Sequence, residues 1–167
     1  MAAHALSRHL ALAGFMGAGK TTLGEEVARR LYRPFVDLDH EIERQTGATI
    51  EELFARDGEP GFRAIEEAVA AAVLAAAEPA VIALGGGTIL SAVTREALSR
   101  RAFTVLLEVD PELAWRRASE GGRPLAVDEQ AFRALYRFLS EGICPPAQTG
   151  ISPQIVMRGN LDLFFGQ

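Results

Sequence analysis

The run Gly14-Phe15-Met16-Gly17-Ala18-Gly19-Lys20-Thr21 follows the spacing G-x-x-x-x-G-K-[ST]. Each part of that spacing has a chemical use. The glycines let the backbone of residues 14–22 wrap closely round a polyphosphate, with the N–H groups of Gly17, Ala18, Gly19, Lys20, Thr21 and Thr22 pointing inward. A helix starting there turns its positive end toward the same anion. Lys20 supplies a flexible point charge to the outer phosphates, and the Thr21 hydroxyl can serve Mg²⁺. Lys20 is also the only lysine among 17 basic residues, in a chain otherwise rich in Arg, Ala and Gly. A GC-rich codon bias explains the arginines but not a lysine kept in this one loop. The chemistry implied is binding of a nucleoside triphosphate; the loop alone does not name an acceptor.

Two further clusters could act on a second substrate, Asp37 with Asp39 and the run Gly85-Gly86-Gly87, and Arg63 and Arg123-Pro124 are considered with them. Each also has an ordinary structural use. Asp39 could cap the next helix, Arg63 could be a solvated helix residue, Gly85–Gly87 could be a plain turn, and Arg123-Pro124 could restrain a loop. The three histidines lack metal-ligand spacing.

The elements that must position these groups alternate between strand and helix. Short apolar runs predict strands over His9–Ala13, Phe35–Asp37, Val81–Leu84 and Phe103–Val109. Helices are expected over Thr21–Leu31, where Leu23, Val27 and Leu31 share a face, and over Asp39–Gln45, Gly61–Ala77, Thr94–Arg101 and Gln130–Leu139. Another covers Thr49–Arg56, with Thr49 and Glu52 as a capping box, and one starts at Asp110-Pro111. Ile155–Met157 is the one later strand candidate, expected to join the sheet beside the phosphate-loop strand. Strands alternating with crossover helices give an α/β fold with a parallel sheet covered on both faces. Such sheets bind ligands beyond the carboxyl ends of their strands, and the residue 14–22, 37–39 and 85–87 groups all fall there.

Composition narrows the function classes. A chain of 167 residues suits one domain, 1–167. With 49% hydrophobic and 23% charged residues it is neither disordered nor fibrous. No apolar run approaches the ~20 residues of a membrane span, and the N-terminal segment is not expected to act as a signal peptide, since Gly14 to Lys20 follow its short apolar run. The single cysteine, Cys144, excludes an internal disulfide and a Cys-only metal site, so the reducing cytoplasm is the expected compartment. A net charge of −5 disfavours a non-specific nucleic-acid binder. No heptad argues for an oligomer, so a monomer is expected.

The motifs then follow one another in a fixed order: Phe35-Val36-Asp37-Leu38-Asp39, Ile50-Glu51-Glu52-Leu53-Phe54, Gly58-Glu59-Pro60-Gly61-Phe62-Arg63-Ala64-Ile65-Glu66, Leu84-Gly85-Gly86-Gly87 and Gly122-Arg123-Pro124-Leu125. From about Leu10 to Leu135 this order and spacing resembles the shikimate kinases. The resemblance implies a P-loop NTPase fold of the nucleoside-monophosphate-kinase type, three layers α/β/α round a five-stranded parallel sheet. It implies phosphorylation of the 3-hydroxyl of shikimate by ATP and Mg²⁺, a step of aromatic amino-acid biosynthesis. A substrate-binding helical region is expected at about residues 38–66, and a lid at about 117–130.

By the same resemblance Asp39 contacts the shikimate hydroxyls and takes the attacking hydroxyl's proton. Asp37 stands near Mg²⁺ through water. Arg63 grips the substrate carboxylate and pairs with Glu66, and Gly85–Gly87 bring backbone close to the substrate. Arg123 reaches the transferring phosphate from the lid. Arg116, seven residues earlier, matches the arginine that stacks on adenine better than its neighbour Arg117 does. The chemistry is coherent: a polyhydroxy acid needs an arginine for its carboxylate, and phosphoryl transfer is mostly positioning and charge neutralisation.

After Leu135 the resemblance stops. The family's second carboxylate-binding arginine would fall near Leu139, with Arg133 and Arg137 as shifted alternatives, Arg133 being the one assigned to substrate. The tail from Gly142 to Gln167 is unlike the family's last strand and helix. Two alternatives therefore stand beside shikimate phosphorylation: a small-molecule kinase of the gluconate or nucleoside-monophosphate type, and a kinase-like binding or regulatory domain without full turnover.

Overall fold

The computed structural model describes residues 7–120, 128–130, 132–134, 136, 137 and 155–158. In chain order the elements are β1 (His9–Gly14), α1 (Lys20–Leu31), β2 (Phe35–Asp37), α2 (Leu38–Thr46), α3 (Ile50–Ala75), β3 (Val81–Ala83), a 3-10 turn (Thr88–Leu90), α4 (Ala92–Arg101), β4 (Ala102–Glu108), α5 (Pro111–Glu120) and β5 (Ile155–Arg158). The strands form one five-stranded sheet in the order β2-β3-β1-β4-β5, and every pairing in it is parallel.

Alternation along the strands divides the core into two layers. Ala11, Ala13, Ile82 and Leu106 face a cluster with Leu38, Ile42, Leu53, Phe62, Leu74 and Leu98 of α2, α3 and α4. Leu12, Val81, Val105 and Leu107 face the other way, toward Ala28 of α1, Ala114 and Ala118 of α5, and Phe132. Central strands buried on both faces read as unbroken apolar runs, which is why β1, β3 and β4 were visible in the sequence.

Ile155–Arg158 joins the sheet as expected of that run, but its neighbour differs from the expectation. It pairs with β4, from Val105↔Ile155 to Glu108↔Arg158, and not with the phosphate-loop strand. The reason is that β1 has no free edge: β3 and β4 already flank it. The strand therefore covers the outer edge of β4.

Helix starts also shift. α2 begins at Leu38 with Asp37 as its cap, the Asp37 carboxylate accepting from the N–H groups of Asp39 and His40; the capping use considered for Asp39 belongs to Asp37. α4 begins at Ala92 behind a Ser91 cap. The capping box of Thr49 and Glu52 is present as expected. The helices expected on either side of residue 58 meet at Gly58, whose φ of 67° and ψ of 179° break α3 into two arms. That backbone region is open essentially to glycine alone.

Candidate active site

Because the sheet is parallel, β1, β2 and β3 end on one edge, with Leu12 and Asp37 both in register with Ala83. The three groups of residues after these strands are thereby brought together. The first is the phosphate loop. Gly19 caps α1 with φ 87°, and α1 has neither a side-chain cap bond nor an acidic residue in its first turn. Its first N–H groups are thus left for an anion. Lys20 folds back across the loop, its Nζ donating to the carbonyls of Gly14 at 2.8 Å and Phe15 at 3.0 Å. Thr22 is exposed and Ala18 buried. The loop is braced from α5: a Cβ at Gly17 would stand 2.7 Å from the Ala114 carbonyl, and Arg117 donates to the Gly17 carbonyl at 3.3 Å.

The second group joins the loop to β2. Thr21 Oγ1 donates to Asp37 Oδ2 at 2.8 Å, while Asp37 Oδ1 accepts from Asp39 N–H at 3.1 Å. One carboxylate thus ties the phosphate loop to the start of α2. A hydroxyl and a carboxylate set side by side are hard oxygen donors, a set that suits Mg²⁺. Among the described residues no group of three or more His, Cys, Asp and Glu could hold a metal. The pair fits the usual Mg²⁺ arrangement, in which one or two protein oxygens act together with substrate phosphates.

The third group lies against Gly85–Gly87. A Cβ on Gly85 would stand 2.8 Å from Asp39 Oδ1, 2.8 Å from Thr88 Oγ1 and 2.9 Å from Glu66 Oε1. A Cβ on Gly87 would stand 2.6 Å from Arg63 Nη2. No side chain fits at either position without displacing these groups. Arg63 is held on three sides: Nη1 pairs with Glu66 Oε2 at 2.7 Å, Nη2 with Glu59 Oε1 at 3.5 Å, and its guanidinium lies 5.3 Å from the Phe62 ring centroid. Phe62 in turn stacks on Phe54. Over a third of the Arg63 side chain remains open to solvent, so the guanidinium can meet a carboxylate from outside. A Cβ on Gly86 would lie 3.7 Å from Met16 N, so this cluster adjoins the phosphate loop.

Of the residues expected at the site, Gly17, Gly19, Lys20, Thr21, Asp37, Asp39, Arg63, Gly85, Gly86 and Gly87 come together at this edge. Arg123 lies outside the described residues, as does half of the expected lid, residues 121–127. Arg116 is exposed on α5, whereas its neighbour Arg117 contacts the loop. Arg133 meets Glu112 at 2.5 Å and Glu129 at 2.7 Å. These hydrogen bonds raise its pKa further and lower that of Glu112. Its described partners are thus Glu112 of α5 and Glu129, four residues before it, and neither belongs to the Arg63–Asp39 cluster. Arg137 is exposed. Thr88 was missed by sequence reasoning, and Arg117 stood there only as the second choice to Arg116. A hydroxyl directly after the glycine run was the one available signal for Thr88.

A parallel sheet with a phosphate loop after its first strand, facing an Asp–Arg–Gly cluster, defines a P-loop kinase of small molecules. Comparison with known proteins narrows this. The shikimate kinase family model matches residues 16–148. The chain is 45% identical over 120 residues to the shikimate kinase of Symbiobacterium thermophilum, an alignment covering 70% of this chain and 68% of that protein. It is 50% identical over 113 residues to the shikimate kinase of Burkholderia thailandensis, covering 67% and 61%. The solved shikimate kinase from Acinetobacter baumannii in complex with shikimate superposes with a TM-score of 0.82 at 34% identity, covering 99% of this chain and 97% of that one. A gluconokinase from Sinorhizobium meliloti, at 16% identity and a TM-score of 0.62, shares the fold alone. The chain belongs to the shikimate kinase family.

Proposed function

We propose that this protein transfers the γ-phosphoryl group of ATP to the 3-hydroxyl of shikimate, giving shikimate 3-phosphate and ADP. The observation that carries the reading is the convergence of Asp39, Arg63 and Gly85–Gly87 beside the phosphate loop. Arg63 takes the substrate carboxylate in a bidentate pair. Asp39 orients the ring hydroxyls. The 3-hydroxyl oxygen bonds to the γ-phosphorus as the bridging bond to the β-phosphate breaks, and the hydroxyl proton passes to Asp39. The backbone N–H groups of Gly17–Thr22 cradle the phosphates, and the Lys20 ammonium leaves the two carbonyls it now meets to neutralise developing charge.

Thr21 and Asp37 would hold Mg²⁺, Asp37 through water. The ion would offset charge on the transferring phosphates. Residues 38–66 form the substrate-binding region and 117–130 the lid. Arg116 would stack on adenine and Arg123 would serve the transferring phosphate, as the family resemblance implies. The protein is taken as a cytoplasmic monomer with small-molecule substrates and neither nucleic-acid nor membrane partners. The pairing of Arg133 with Glu112 and Glu129 favours one further reading, a catalytically impaired kinase-like binding or regulatory domain, because without the second carboxylate contact shikimate would be held more weakly and less well in line.

A coupled ADP-release assay with ATP and Mg²⁺ separates the readings. Turnover should be far faster with shikimate than with gluconate or nucleoside monophosphates. Equal or faster rates on those acceptors would overturn the assignment, and shikimate binding without turnover would select the impaired domain.

A further inference from the structure

Glu66 and Thr88 are both almost fully buried, at 4% and 1% exposure, behind the residues that meet the substrate in the reading above. The two oxygens of Glu66 are divided between two partners. Oε2 accepts from Arg63 Nη1 at 2.7 Å, and Oε1 accepts from the Thr88 hydroxyl at 2.6 Å. Thr88 is the first residue of the 3-10 turn that Gly85–Gly87 leads into, with its N–H donating to the Gly85 carbonyl at 3.2 Å. The hydroxyl therefore links the glycine run to α3, across 22 residues of sequence.

The division has a mechanical consequence. A carboxylate held through one oxygen alone can rotate about its last torsion, which is broad and soft. Held through both, its plane is fixed, and so is the direction in which it pulls the guanidinium. There is little slack beyond it, because the Arg63 guanidinium already packs against Gly87. We infer that Thr88 is a positioning residue for the substrate carboxylate, acting through Glu66 to hold Arg63 in its gripping orientation. This inference rests on the shikimate reading of the site. It concerns shikimate affinity and leaves the phosphate loop alone.

Thr88→Val keeps the shape and removes the hydroxyl, leaving a buried carboxylate oxygen without that donor. Titration calorimetry with shikimate alone should give a dissociation constant about tenfold weaker, equivalent to ~1.4 kcal/mol. The KM for shikimate should rise in step, with kcat and the KM for ATP within about twofold of the parent. Thr88→Ser should restore shikimate affinity. Thr88→Ala measured alongside keeps a readout if the valine packs badly. In a double-mutant cycle, Thr88→Val combined with Glu66→Gln should bind shikimate no worse than Glu66→Gln alone.

Unchanged shikimate affinity in both Thr88→Val and Thr88→Ala would overturn the inference. So would a serine variant that does not recover, fully additive losses in the cycle, or equal losses for ATP and shikimate. These outcomes differ from failure of the function itself, in which the parent protein would neither bind nor phosphorylate shikimate.

Discussion

Asp37 and Asp39 stand two residues apart and do different work. Asp37 is committed to Thr21 and to the N-terminus of α2, whereas Asp39 Oδ1 lies against Gly85 beside Glu66 and Thr88. Asp39→Asn keeps the size but cannot take a proton. It should lower kcat by about 10²–10⁴-fold, the usual share of a general base, with ATP affinity little changed. Steady-state kinetics with a separate nucleotide-binding titration checks this. A collapse of ATP binding instead would move the base role to Asp37. Arg63→Ala removes a charged hydrogen-bonding group worth ~1.5–3 kcal/mol, so the KM for shikimate should rise by roughly ten- to a hundredfold. Arg133→Ala and Arg137→Ala should each raise it far less. A loss at either as large as at Arg63 would place the second carboxylate contact there. Lys20 could be read from the spacing of its loop, whereas Asp39 and Arg63 were picked out by the resemblance of the ordered motifs. The Thr88–Glu66 contact could be read from neither, because residues 22 apart meet only once the sheet and α3 have packed.

Elements ending in a local signal were legible, and those set by long-range contacts were not. Thr49 with Glu52 and the left-handed Gly47 after α2 mark their helix ends within a few residues. The short turn Thr88–Leu90 has no such signal, and the start of α4 moved with it. The place of β5 beside β4 depends on the order in which crossovers fill the sheet, which no window of residues contains. The kink in α3 is a case where one residue type decides. Gly58 has φ 67° and ψ 179°, yet the nearest atom to a Cβ there is Pro60 Cδ at 3.7 Å. Space is adequate and the backbone is the obstacle. Gly58→Ala should therefore cost about 1–3 kcal/mol of stability, read by urea unfolding. It should also move Arg63, which lies on the second arm, and so raise the KM for shikimate. A neutral variant would mean that the kink relaxes without cost.

Across the whole molecule, exposed arginine–carboxylate pairs line the helices. Hydrogen bonds from Arg29 and Arg30 hold Glu26 down to about 2, and those from Arg44 and Gln45 do the same for Glu41. Glu52 is lowered by Thr49, Asp57 by Arg56 and Glu112 by Arg133. A carboxylate lowered on folding stabilises the native state above its unfolded value, here 4.5 for Glu, and loses that contribution as pH falls toward 2. These groups should leave stability flat from pH 7 to 5 and reduce it from about 4.5 downward. The pairs are exposed, so each contributes little and salt weakens it. Urea midpoints measured against pH should fall less steeply in 1 M NaCl than in dilute buffer. Stability that rose below pH 4.5 would contradict this account.

The solitary lysine has a consequence for proteolysis. A protease that cuts only after lysine finds one scissile bond in the entire chain, between Lys20 and Thr21. That bond lies at the first turn of α1, with the lysine side chain folded onto the carbonyls of Gly14 and Phe15. Cleavage there requires the loop and the first turn to open, so the rate of a single cut reports the opening of one local segment. ATP should slow that cut in proportion to the loop's occupancy, turning a protease and a gel into a direct gauge of nucleotide binding without any chemical label.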